Sequence, residues 1–115
     1  MIGIGIDAVD IDRLGQVLAR RPGLAERLFT DDELLVGLPG LAARFAAKEA
    51  AMKALGVGLG AFGFHDVSVV REESGAPRLL VVGAAADLAA AMGVTAWKVS
   101  LTHTDALAEA VVVAL

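Results

Sequence analysis

The chain has no cysteine and no tyrosine, one tryptophan, four phenylalanines and two histidines among 115 residues. Without cysteine there is no disulfide, which fits a reducing compartment without requiring one. His65 and His103, with no thiol in the chain, cannot supply the ligand set of a zinc site. Positive charge is also scarce: 10 Lys and Arg stand against 14 Asp and Glu, a net charge of −4. That balance argues against general nucleic-acid binding. No apolar run approaches the ~18–20 residues of a membrane span. The apolar N-terminus meets Asp7, Asp10 and Asp12 before any positive leader region, so a secretory signal is not expected. The expectation is a soluble cytoplasmic protein with no nucleic-acid or membrane partner.

What is present is aliphatic. Hydrophobic residues make up 57% of the chain and aromatics only 4%, so the core is built from alanine and branched side chains. The length suits one small domain, residues 1–115, with a single core. A small domain this apolar is expected to bury part of its surface against copies of itself.

The pattern predicts α+β: mainly antiparallel strands packed with a long central helix. Residues 2–7 read as a short buried strand ending in Asp7, whose carboxylate is either a helix cap or part of a site. From Asp10 the period becomes helical, with Ile11, Leu14, Val17 and Leu18 on one face and Pro22-Gly23 as the stop. Leu24 and Leu28 suggest another turn or two. Thr30-Asp-Asp-Glu33 is a capping box for a brief helix that Gly37-Leu-Pro39-Gly40 breaks. Leu41–Leu55 is the long helix, followed by a glycine-rich loop to Gly63. Strands are expected at 65–71 and 78–82, a helix at Ala84–Met92, and two final strands at 95–103 and 107–114 around a turn at Thr104-Asp105-Ala106. Trp97, Val99, Leu101 and His103 share one face of the first of these.

Gly3-Ile-Gly5-Ile-Asp-Ala8 matches a dinucleotide fingerprint by letters only. That motif follows a strand and opens a helix, whereas these glycines lie inside a strand. There they suit close approach of another backbone. On the long helix, Phe45, Glu49 and Lys53 recur every fourth residue and share a face, with Met52 beside them and Lys48 flanking Glu49. A surface Glu–Lys pair would have the same spacing. With Asp7 as a second carboxylate, the set also suits a magnesium-bound pyrophosphate, because magnesium is held by one or two carboxylates plus substrate phosphates. His103, in Ser100-Leu-Thr-His103-Thr, is either structural or a ligand contact, and His65 reads as a surface or strand-entry residue. Arg13, Gln16 and Arg20 give the first helix a basic edge. Four of the ten basic residues lie between 13 and 27, a bias that suits an acidic protein partner.

Together these motifs resemble the holo-[acyl-carrier-protein] synthases, the small single-domain 4'-phosphopantetheinyl transferases. The resemblance rests on Gly5-Ile-Asp7 with Arg13, on Arg44-Phe-Ala-Ala-Lys48-Glu49-Ala with Lys53-Ala and Gly56, on Gly75-Ala-Pro77, and on Ser100-Leu-Thr-His103-Thr104. It implies that family's fold and transfer of phosphopantetheine from coenzyme A to a serine of apo-acyl carrier protein, a step of fatty acid and lipid biosynthesis. It further implies a homotrimer with sites at subunit interfaces. Asp7 and Glu49 would bind Mg²⁺, and Lys53 would contact the phosphates. Arg44, Phe45, Lys53, Gly56, Pro77, His103 and Thr104 would line the coenzyme A site, and Arg13 and Arg20 would face the acidic carrier protein. Glu49 is the leading general base and Asp7 the second. The chain departs from the pattern between Glu33 and Arg44, where relatives often carry a longer, basic connection. A Mg-dependent nucleotide-diphosphate hydrolase and a noncatalytic trimeric module are the competing classes.

Overall fold

The computed structural model describes residues 1–115. Five strands and four helices follow one another as β1 (Gly3–Asp10), α1 (Ile11–Arg20), α2 (Leu24–Leu28), α3 (Leu38–Ala54), β2 (Val67–Arg71), β3 (Pro77–Val81), α4 (Gly83–Ala91), β4 (Trp97–His103) and β5 (Leu107–Ala114). Single 3₁₀ turns at Glu33–Leu35 and Phe64–Asp66 complete the set. All strand pairs are antiparallel, in a three-stranded sheet ordered β1-β5-β4 and a β2-β3 hairpin. This is the expected α+β arrangement. No helix is long and apolar enough to cross a membrane.

α3 lies across the inner face of the three-stranded sheet, chiefly on β1 and β5. Ala46, Ala47, Ala50, Ala51 and Ala54 of α3 are buried against Ala110, Val112 and Ala114 of β5, so small side chains set a close spacing. Gly3 and Gly5 make it closer still. A Cβ at Gly5 would collide with the Ala50 carbonyl, and one at Gly3 with that of Ala54. The glycine alternation is therefore a helix-packing device. Gly5→Ala is expected to cost about 3 kcal/mol or more, beyond ordinary overpacking because backbone must move. Urea unfolding at fixed protein concentration checks this, with a lowered midpoint expected.

Of the boundaries that differ from expectation, two matter for the site. β1 runs on to Asp10, so Asp7 lies within the strand, paired with Ala110, and caps nothing. Asp10 is the cap of α1, its Oδ1 accepting from the Arg13 amide at 2.9 Å. α3 begins at Leu38, three residues before Leu41, with Pro39 in its first turn. Proline is tolerated there because those amides have no helical partner. The Thr30–Glu33 capping box forms reciprocally, at 3.1 and 3.3 Å, but opens only a 3₁₀ turn. The strand expected at 65–71 starts at Val67 and the one expected at 95–103 starts at Trp97. Trp97, Val99 and Leu101 pack toward the core, while His103 is exposed at the strand end.

Candidate active site

α3 presents two chemically different faces. Phe45, Glu49 and Lys53 follow one another along one of them, as the four-residue spacing requires. Phe45 stacks on Phe64 with ring centroids 5.9 Å apart and meets Phe29 edge-on at 6.5 Å. Beside this aromatic wall opens a cleft of about 640 Å³, lined among others by Asp7, Arg13, Phe45 and Glu49, with Leu14 and Val17 of α1 opposite. Antiparallel pairing holds β1 on β5, and the glycine contacts hold β1 on α3, which brings Asp7 to Glu49 from 42 positions away in sequence. Lys53 Nζ donates to Asp7 Oδ1 at 3.0 Å and to the Ile6 carbonyl at 2.9 Å. Neither ion pair in the chain includes Glu49. Partial burial and then the Asp7 charge push the Glu49 carboxyl above its ordinary value, with Lys53 opposing them.

Lys48 and Met52 turn elsewhere. Met52 is a core residue rather than a neighbour of the Glu49 row. Lys48 is fully buried and spends its three protons on Glu33 Oε1, at 2.8 Å, and the carbonyls of Phe64 and Val67. Glu33 is buried too, its Oε1 also accepting from the Thr30 amide and its Oε2 from the Val69 amide. Burial lowers the Lys48 affinity for its proton, while the bond to Glu33 opposes that. Of the two lysines near Glu49, one ties the loop to the helix and the other reaches the Asp7 carboxylate.

A second, smaller cavity of about 130 Å³ contains Arg44, Arg71, Thr102 and His103, beside Gly40 and Ala43, and no carboxylate. Arg44 is buried; its Nη1 donates to the Gly40 carbonyl at 3.2 Å and its Nε has no partner. Burial and the nearby Arg71 guanidinium lower the Arg44 affinity for its proton, against Glu33. Such a concentration of donors suits an anion. Arg44 and Glu49 stand about 7.5 Å apart along the helix and about 140° apart around it, so this pocket opens on another side of α3. Sequence reasoning missed Arg71. The one available signal was a basic residue four positions before Gly75, whose carbonyl accepts from Arg71 Nη1 at 2.6 Å. Where the 34–43 connection supplies no basic side chain, β2 supplies one.

The remaining expected residues distribute plainly. Pro77 pairs with Arg71 across the hairpin. Gly56 follows α3 at φ +70°, a conformation glycine adopts without strain. The Thr104 hydroxyl accepts from the Leu107 amide at 3.0 Å and the Ala106 amide at 3.2 Å, so it holds the β4–β5 turn. Arg13 and Arg20 are exposed on α1. His65 is exposed, as expected, with Nε2 2.7 Å from the Glu26 carbonyl.

The Asp7–Glu49 pair has the chemistry of a magnesium site. Asp7 already draws a cation in the Lys53 ammonium, and the mutual repulsion of two neighbouring carboxylates is what a divalent ion relieves. No third acidic, histidine or cysteine side chain joins them. Two carboxylates with phosphate oxygens completing the shell fit magnesium.

Comparison with known proteins gives a consistent picture. The profile of the 4'-phosphopantetheinyl transferase superfamily matches residues 3–112. A holo-[acyl-carrier-protein] synthase of Streptomyces avermitilis is 52% identical, over 99% of this chain and 97% of its own. The crystal structure of the Neisseria meningitidis holo-[acyl-carrier-protein] synthase superposes with a TM-score of 0.91 at 31% identity, covering 100% of this chain and 98% of that one. The Helicobacter pylori enzyme in complex with coenzyme A gives 0.86 at 29% identity, covering 97% and 99%. By sequence along nearly its whole length, and by fold, the chain belongs to the holo-[acyl-carrier-protein] synthases of the 4'-phosphopantetheinyl transferase superfamily.

Proposed function

We propose that this chain transfers the 4'-phosphopantetheine arm of coenzyme A to a serine hydroxyl of an apo-acyl carrier protein, releasing 3',5'-ADP. The observation that carries the reading is the convergence of Asp7, Glu49 and Lys53 beside one cleft, in a family named for this reaction. The serine oxygen forms a bond to the phosphorus bearing pantetheine, and the bond from that phosphorus to the bridging oxygen breaks. The nucleophile belongs to the carrier protein, so the enzyme needs none of its own.

Asp7 and Glu49 would hold Mg²⁺, which when bound supplies charge neutralisation on the pyrophosphate oxygens. Lys53 contacts the same phosphates and meets the charge that develops on the departing 3',5'-ADP. Glu49 is the base that takes the serine proton. It is the carboxylate without an ion-pair partner, and its raised proton affinity favours that task. Asp7, engaged by Lys53, is the second choice. Phe45 and Gly56 border the carboxylate side of the coenzyme A site. Arg44, Arg71 and His103 receive the phosphate that the carboxylate site leaves over, and Pro77 and Thr104 shape that pocket through the hairpin and the β4–β5 turn.

The two halves of this site open on different sides of α3, which fits the homotrimer with sites at subunit interfaces that the family resemblance implies. Ile4 and Ile6 support this reading: they are 58% and 61% exposed on the outer sheet face. They pair with Val113 and Val111, giving an apolar strip for another copy to cover. We take residues 1–115 as one transferase domain acting in the cytoplasm, in fatty acid and lipid biosynthesis.

Incubation with coenzyme A, Mg²⁺ and apo-carrier protein tests the reading. A carrier mass gain equal to phosphopantetheine supports it; free ADP product with unmodified carrier indicates hydrolysis, and no change indicates a binding module. Arg13 and Arg20 make the docking edge for the acidic carrier. Arg13→Ala with Arg20→Ala is expected to raise the carrier KM several-fold and flatten its dependence on salt, with the coenzyme A KM unchanged. An unaltered carrier KM would remove the docking assignment.

A further inference from the structure

Lys53 is the counter-ion of Asp7 before any ligand arrives. Its Nζ is held by Asp7 Oδ1 at 3.0 Å and the Ile6 carbonyl at 2.9 Å, both on β1. The pair is open to solvent, with side-chain exposures of 55% for Lys53 and 20% for Asp7. Exposed pairs of this type contribute little and exchange readily. Glu49, one helical turn before Lys53 on the same face, carries the charge left uncompensated. A divalent cation that is to be shared by Asp7 and Glu49 therefore meets an ammonium already seated on Asp7 Oδ1 and is repelled by it. The repulsion weakens metal binding for as long as the ammonium stays on Asp7. No other carboxylate pairs with the ammonium, so displacement alone is unfavourable. A pyrophosphate arriving beside the cation supplies the anion that Lys53 loses.

We propose that Lys53 is a gating cation that makes divalent-metal binding and pyrophosphate binding depend on each other. Metal alone competes with the ammonium and binds poorly. Metal with a diphosphate ester lets the ammonium move from carboxylate to phosphate, so the site fills with both together. The coupling is reciprocal: metal strengthens ligand binding by the factor by which ligand strengthens metal binding. This inference rests on the assignment of Asp7 and Glu49 as the metal site.

The test uses Mn²⁺ as probe, with free Mn²⁺ counted by electron paramagnetic resonance. No carrier protein is present, so nothing turns over, and Mn²⁺ bound by coenzyme A alone is subtracted. For the unmodified protein, coenzyme A is expected to tighten Mn²⁺ binding within roughly the 5–150-fold range usual for coupled sites. Lys53→Met is expected to bind Mn²⁺ alone several-fold more tightly than the unmodified protein, with the gain from coenzyme A reduced by about the same factor, the remainder coming from phosphate oxygens on the metal. Lys53→Arg should keep the weak binding of metal alone, because the charge at Asp7 remains. Lys53 is largely exposed, so these variants should fold, which circular dichroism verifies. The gate is overturned if Lys53→Met binds Mn²⁺ alone no more tightly. If Asp7→Asn still abolishes Mn²⁺ binding in that case, the metal site stands and only the gate has failed. If no form binds Mn²⁺, with or without coenzyme A, both assignments fall.

Discussion

Glu49→Gln is expected to slow carrier modification by about 10²–10³-fold, the usual loss when one electrostatic or proton-accepting group is removed from a charged reaction centre. Gln keeps the volume and loses both the negative charge and the proton acceptor. The loss should fall on turnover, because in the proposed site coenzyme A is also held by Lys53 and by the basic pocket around Arg44. The pH profile separates a base from a spectator. Burial and Asp7 raise the Glu49 proton affinity above its ordinary value of 4.5. The acidic limb that Glu49 contributes to the rate profile should be absent in the Gln variant. Stability should move the opposite way from activity. In the folded protein Glu49 ionises less readily than in the unfolded chain, so stability falls as pH rises through 4.5 toward the folded value. Gln carries no such cost. Its variant should unfold at a higher temperature than the parent near neutral pH, with the difference vanishing below 4.5. Near-normal turnover at saturating Mg²⁺ would end the assignment of Glu49 as base and metal ligand.

Lys48→Met is expected to cost about 3–5 kcal/mol, the range for removing one partner of a buried ion pair. The loss is large because of what is left behind. Glu33 would remain buried with a charge answered only by backbone amides, and the carbonyls of Phe64 and Val67 would lose a donor. Against a total stability of about 5–15 kcal/mol, that removes much of the margin. Thermal unfolding at fixed concentration should show a fall on the order of 10–20 °C. Pairing Lys48→Met with Glu33→Leu should recover part of the loss, since an apolar replacement of both partners leaves no uncompensated charge. If the double variant is no more stable than Lys48→Met, the uncompensated carboxylate is not the source of the cost. Purified, folded Lys48→Met should retain more turnover than Glu49→Gln, although the two positions are adjacent.

That adjacency marks how far a sequence can be read. The Phe45–Glu49–Lys53 row, the Thr30–Glu33 box, the antiparallel alternation of β4 and β5, and the glycines of β1 as close-approach positions all follow from local rules. Helix period, strand period and cap chemistry act over a few residues, so a few residues suffice to see them. The start of α3 differs from expectation for a local reason as well, because Leu-Pro-Gly breaks a helix in the interior and is tolerated at its first turn.

The sequence by itself determined which side chains share the face of α3, that the fold is α+β, and through its ordered motifs which family the chain joins. Only the tertiary structure decided which of Lys48 and Lys53 meets a carboxylate of the site. It also placed Asp7 inside a strand rather than at a cap, and assembled Arg71 with Arg44 and His103. Each of these depends on a partner dozens of residues away, brought near by sheet pairing and by the contact of α3 with β1. No spacing along the chain encodes that distance.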